Sequence, residues 1–159
     1  ALDAVQTPWV ALLDDDDAFK AEHLEKLYAH AIETGADLAY AWFDMVGGID
    51  PFPITHQINE FDPANPIETT ITVLVRTGLA KEVGYVPLDR GHNTNGGEDY
   101  GFVLGCVAAG AIIRNMNAGR SPAQVEKTWY YNVHGDGGAT HGNTSGLPTK
   151  GDALLWTPA

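Results

Sequence analysis

A continuous apolar run at residues 9–13, Trp-Val-Ala-Leu-Leu, follows Thr7-Pro8 and stops at four consecutive aspartates, Asp14 to Asp17. An apolar run without alternation predicts a strand covered on both faces. Further on, Leu24, Leu27, Tyr28, Ala31 and Ile32 fall at the i, i+3, i+4, i+7, i+8 spacing of a one-faced helix over residues 20–34, and Gly35 terminates it. Residues 37–46, rich in aromatic and apolar side chains, predict a second buried strand. The order strand, helix, strand is that of a right-handed βαβ unit. Pro51, Pro53, Pro63 and Pro66 make residues 49–66 a long surface loop, of a length that is usually functional. The β-branched run 69–76 is a strand and 79–83 a short helix. A polar, Gly-rich loop over 84–97 leads into a helix whose expected buried face is Tyr100, Val103, Leu104, Val107 and Ala108. Two more strands are expected at 111–116 and 128–133. The tail 134–159 is Gly-rich and has no period.

The whole is one domain of 159 residues, without internal repeats. Its first six residues read as the tail of a helix already under way, and with no initiating Met the chain is expected to be a piece of a longer one. Nine Lys and Arg against 21 Asp and Glu give a net charge of −12, and the cations are scattered singly. Such a field repels nucleic acid and anionic membrane surfaces. The longest mostly apolar stretch, 102–113, is broken by Gly105 and Gly110 and is too short for an integral membrane segment. A single cysteine, Cys106, excludes an internal disulfide framework and points to a reducing, cytoplasmic setting.

Chemistry concentrates in three places. Four adjacent aspartates directly after a strand repel one another, and a divalent cation relieves that repulsion. Mg²⁺ and Mn²⁺ favour carboxylate oxygens, and a site with few protein ligands leaves room for substrate phosphates. Ligands of α/β sheets gather beyond the carboxyl ends of strands, where this run lies. The same residues also suit an acidic turn and the first turn of a helix. An EF-hand frame would use Asp14, Asp16, Glu22 and Glu25, but it fails at Ala18 and Phe19, which stand where a ligand and the turn glycine belong. A haloacid-dehalogenase-like phosphatase also starts with an apolar strand and Asp-x-Asp, yet Ala18 and the lack of a clear later Gly-Asp pair count against it. The second place is Gly96-Gly97-Glu98-Asp99, where glycines permit close approach and acids open a helix. The third is Trp129-Tyr130-Tyr131-Asn132-Val133-His134 followed by Thr140-His141-Gly142, where either histidine can close over a metal. Trp42 and Asp44 are candidates to stack on and hydrogen-bond a sugar, although the core is the commoner fate of such a Trp.

In this order and separation, Asp14-Asp15-Asp16-Asp17 after its apolar strand, Gly97-Glu98-Asp99 and the His134 region resemble the second half of a family 2 glycosyltransferase. Trp42-Phe43-Asp44 and Val83-Gly84-Tyr85, which sits where such enzymes often have a Gly-Gly-Phe turn, add to the likeness. The resemblance implies an α/β, GT-A-like mixed sheet with flanking helices. It implies an inverting, metal-dependent transfer of a sugar from a nucleotide-diphosphate sugar to an acceptor hydroxyl of a glycan or other molecule. Asp14 would face the ribose with Asp15 beside it, Asp16 would bind Mn²⁺ or Mg²⁺, and Asp99 would be the general base. Gly97, Glu98, Trp42 and Asp44 would line the substrates. His134 or His141 would complete the metal shell. Only thirteen residues precede Asp14, so the nucleotide-binding βαβ region usual in such enzymes is expected in a missing N-terminal half. A non-catalytic carbohydrate-binding or interaction module on the same fold is the alternative.

Overall fold

The computed structural model describes residues 1–50, 52–64, 66, 69–70, 72–85 and 98–132. Two sheets organise them. The larger contains β1 (Trp9–Ala11), β3 (Leu38–Tyr40), β5 (Val73–Arg76) and β6 (Ile113–Asn115) in the order β1-β5-β3-β6. β5 is antiparallel to both β1 and β3, while β3 and β6 are parallel, so β1, β3 and β6 share one direction. The smaller sheet has β7 (Lys127–Asn132) between β2 (Ala18–Phe19), antiparallel to it, and β4 (Trp42–Val46), parallel to it.

The larger sheet has a helix layer on each face. Leu38, Tyr40, Val73, Val75 and Ile113 point to one side and meet Ala80 of α3 (Thr77–Val83) and Phe102, Val103 and Cys106 of α4 (Glu98–Ala108). Ala39 and Leu74, between them in sequence, point to the other side and meet Leu27 and Ala31 of α1 (His23–Thr34). This alternation is the period-two geometry of a strand buried on both faces. Gly35 ends α1 with φ of 66°, a left-handed conformation that favours glycine. The smaller sheet holds an aromatic core of Trp42, Phe43 and Trp129, with Phe19, Phe52 and Tyr131 against it.

Several expectations change. The opening six residues form one turn of 3₁₀ helix, Leu2–Ala4. β1 is half-buried throughout, because it lies at the edge of its sheet among the described residues. β1 and β3 are parallel as a βαβ unit requires, but β5 is inserted between them. Residues 37–46 are two strands: the chain changes sheet at Ala41. The 49–66 loop contains a short helix, α2 (Ile54–Ile58). On α1 the buried residues are His23, Leu27 and Ala31, while Leu24, Tyr28 and Ile32 are exposed, because the small side chains of Ala31, Ala36, Ala39 and Ala41 define the close contact. On α4, Phe102 and Cys106 are buried with Val103 and Leu104, whereas Ala108 is exposed.

Candidate functional site

The acidic turn is built by its neighbours. Pairing of β1 with β5 runs one residue past the strand, with Leu12 donating to the Val73 carbonyl at 2.9 Å. The chain then turns, and the Asp17 N–H donates to the Asp14 carbonyl at 3.2 Å. Directly after, Ala18 and Phe19 pair with Tyr130 and Trp129 of β7. The turn is thus clamped between the larger sheet on one side and the smaller on the other. From the far end of β7, Asn132 reaches both of its last two aspartates: its side-chain amide donates to the Asp16 carbonyl at 2.5 Å and its backbone N–H to Asp17 Oδ1 at 2.9 Å.

In this arrangement Asp14, Asp16 and Asp17 each present a carboxylate oxygen, all within 4.8 Å of one another. At that separation two unit charges repel by about 1 kcal/mol in bulk water and several times more near a low-dielectric surface. Oxygens on opposite sides of a Mg²⁺ ion lie about 4.2 Å apart, so a small side-chain rotation would bring the trio to ligand distance. An all-oxygen donor set suits a hard divalent cation. Asp15 stands outside the trio and is exposed.

α4 runs back along the larger sheet and enters β6 through residues 109–112, with the Ala111 N–H bonded to the Cys106 carbonyl at 3.0 Å. A helix that lies on a sheet and turns tightly into a strand is antiparallel to that strand. The amino end of α4, with Asp99, therefore lies at the edge formed by the carboxyl ends of β1, β3 and β6, the edge from which the acidic turn projects. Asp99 is half-buried, and Tyr85 donates its hydroxyl proton to Asp99 Oδ1. Tyr85 follows Gly84, whose φ of 69° ends α3, and its ring lies 5.2 Å from that of Phe102. α4 approaches α3 so closely that a Cβ on Gly105 would stand 2.4 Å from Val83 Cγ1.

Two candidates are placed elsewhere. Trp42 is 1% exposed; its ring stacks on Phe43 at 5.4 Å, meets the edge of Phe52, and donates its N–H to Asp50 Oδ2 at 2.8 Å. It is core, with no ring face left for a sugar. Asp44 is held by Lys20 at 2.5 Å and Lys127 at 3.9 Å, ion pairs that tie the strands of the smaller sheet together. Gly97, His134 and His141 lie outside the described residues, as does the side chain of Glu98.

Sequence reasoning passed over three residues that shape this region. Asn132 was visible as a polar residue ending an aromatic strand, a position from which short amides commonly secure turns. Lys20 carried no signal at all. His23 is completely buried at the start of α1, stacked on Phe19 at 4.3 Å and hydrogen-bonded through Nδ1 to Thr128 Oγ1 at 2.8 Å. Burial pushes its pKa down from 6.5 to about 4. Cys106 is a free, buried thiol, pushed up to about 12 by burial.

No helix among the described residues is long and apolar enough to cross a membrane. The fold is shared with solved structures of S. aureus TarS. The TarS structure in complex with UDP is 18% identical, with a TM-score of 0.60, over 84% of this chain and 38% of that one. The structure in complex with UDP-GlcNAc is 17% identical, with a TM-score of 0.59, over 84% and 37%. The chain thus spans under two fifths of the length of those TarS chains. No curated protein matches it. The model of Glycosyl transferase family 2 matches residues 1–83, more than half of the sequence. That span runs through β1, the acidic turn, α1 and β5 to the end of α3, and by it the chain belongs to glycosyl transferase family 2.

Proposed function

We propose that this chain carries the diphosphate-binding and base-bearing part of an inverting, metal-dependent glycosyltransferase that moves a sugar from a nucleotide-diphosphate donor to an acceptor hydroxyl. The observation that carries the reading is the convergence of Asp14, Asp16 and Asp17 beyond the carboxyl end of β1 in a family 2 chain. Asp16 would be the principal ligand of a Mn²⁺ or Mg²⁺ ion at this turn, and the ion would supply positive charge to offset that of a departing diphosphate. Asp14, nearer the strand, faces the nucleotide ribose, with Asp15 beside it, and Asp17 fixes the turn through Asn132. From the other side of the shared edge Asp99 accepts the proton of the attacking hydroxyl, and its bond from Tyr85 fixes the carboxylate orientation. With the base opposite the leaving group, the anomeric configuration inverts. Gly97 and Glu98, which precede Asp99 in the sequence, are assigned to the acceptor.

Asn132 anchors its end of β7 to the turn, and two residues of chain span at most about 7 Å. This favours His134 over His141 as a further metal ligand. Because the TarS structures hold UDP and UDP-GlcNAc, a uridine diphosphate sugar is the first donor to test. A cytoplasmic setting accords with a lone, buried thiol.

The test is release of UDP from UDP-sugars, with product configuration read by proton NMR. Release that needs Mn²⁺ and ends in Asp16→Ala supports the reading. Release indifferent to EDTA and to that substitution, or phosphate trapped covalently on Asp14, overturns it.

A further inference from the structure

Asn132 grips the acidic turn from far along the chain, 116 residues from Asp16 and 115 from Asp17. The two hydrogen bonds serve different ends. The backbone N–H of Asn132 bonds the Asp17 carboxylate itself, which fixes where one charge points. Its side-chain amide bonds the backbone carbonyl of Asp16, which fixes the peptide that carries the other. Three carboxylates packed within 4.8 Å push one another apart, and the Asp17-to-Asp14 backbone bond that closes the turn fixes neither side chain. β7 supplies the resistance. It is the middle strand of its sheet, paired with β2 at Trp129 and Tyr130 and with β4 as far as Asn132 itself, which stands opposite Val46, so its end is held.

We infer that Asn132 is a positioning residue for divalent-cation binding: it holds the Asp16–Asp17 peptide in the one orientation in which Asp14, Asp16 and Asp17 converge. The inference rests on the metal reading of the acidic turn and assigns it a second element, so that cation affinity is set by the register of β7 as well as by the aspartates. Its chemistry is that of an outer-shell partner, which touches no cation and keeps the ligands from swinging to solvent. Loss of such partners typically weakens metal binding about 10- to 100-fold.

The experiment titrates Mn²⁺ alone into the chain and follows the free-ion signal by electron paramagnetic resonance. It compares wild type, Asn132→Ala, Asp16→Ala and the double variant, with thermal unfolding of each measured alongside. Asn132→Ala leaves the strand N–H on Asp17 in place and removes the bond to the Asp16 carbonyl; Asn132→Ser serves if it does not fold. The expected result is Mn²⁺ binding lost in Asp16→Ala, weakened about 10- to 100-fold in Asn132→Ala with unfolding still cooperative, and no weaker in the double variant than in Asp16→Ala. Binding lost in Asp16→Ala but within twofold of wild type in Asn132→Ala overturns the positioning role and leaves the metal reading standing. Wild-type binding in Asp16→Ala overturns both.

Discussion

Acidification from pH 7 to pH 4 should destabilise the chain through one histidine. His23 is fully buried, its Nδ1 bonded to Thr128, its ring flat against Phe19 at an interplanar angle of 11°, and its Nε2 enclosed without a hydrogen-bond partner among the described residues. Burial disfavours the charged ring, so the folded-state pKa is about 4 where the unfolded value is 6.5. Below 6.5 the unfolded chain binds a proton that the folded chain refuses until about pH 4. Stability contributed by the neutral ring is therefore complete above 6.5 and falls with pH through that window. The slope is about 1.4 kcal/mol per pH unit, and the loss by pH 4 is about 3 kcal/mol. Against the ~5–15 kcal/mol that holds a typical domain, this is a large share. The check is urea unfolding followed by tryptophan fluorescence at pH 4.0 to 7.0, for wild type and His23→Gln, whose amide can keep the Thr128 bond but does not titrate. Relief of the −12 charge and the smaller effect of His30, lowered by burial in the same direction, are common to both proteins and cancel. Wild type should lose about 3 kcal/mol more than the variant between pH 6.5 and 4. Parallel curves would refute the burial argument.

Asp99→Asn should keep donor affinity and lower transfer by about 10²- to 10⁴-fold, read from steady-state kinetics, because the amide keeps the shape but takes no proton; a rate within a few-fold of wild type excludes Asp99 as the base. His134→Ala should raise the Mn²⁺ concentration needed for turnover more than His141→Ala does, and an unchanged requirement in both leaves the cation to aspartates and phosphates. Gly105→Ala should destabilise by about 1–3 kcal/mol in chemical denaturation, since its Cβ would meet the stiff, β-branched Val83 at 2.4 Å and push α4 off α3. Unchanged stability would mean that the two helices are free to separate.

What the sequence revealed depended on how local the cause was. The acidic turn was legible because its charges are adjacent, and Gly35 because a helix end needs a left-handed residue. The helix of residues 20–34 was legible in existence but not in orientation: Leu24, Tyr28 and Ile32 fit the period as well as Leu27 and Ala31, and only the alanine-lined sheet surface decides which stripe is covered. The passage from β3 to β4 has no turn residue to mark it, since Ala41 continues the apolar run while the chain changes sheet. Trp42 looked like a sugar platform because aromatic residues serve both roles, and its fate was set by Phe43, Phe52 and Asp50, which close round it. β2 is hidden by the aspartates before it and exists through its pairing with β7, more than a hundred residues away. The same remoteness hid Asn132.

If the turn after β1 holds a divalent cation for a nucleotide diphosphate, UDP binding depends on both the ion and Asp16. Calorimetric titration of UDP into the chain with Mn²⁺, with EDTA, and into Asp16→Ala with Mn²⁺ tests it directly. The expected result is saturable binding only in wild type with Mn²⁺, and none in the other two, with Asp16→Ala still unfolding cooperatively. Equal affinity in all three would contradict it.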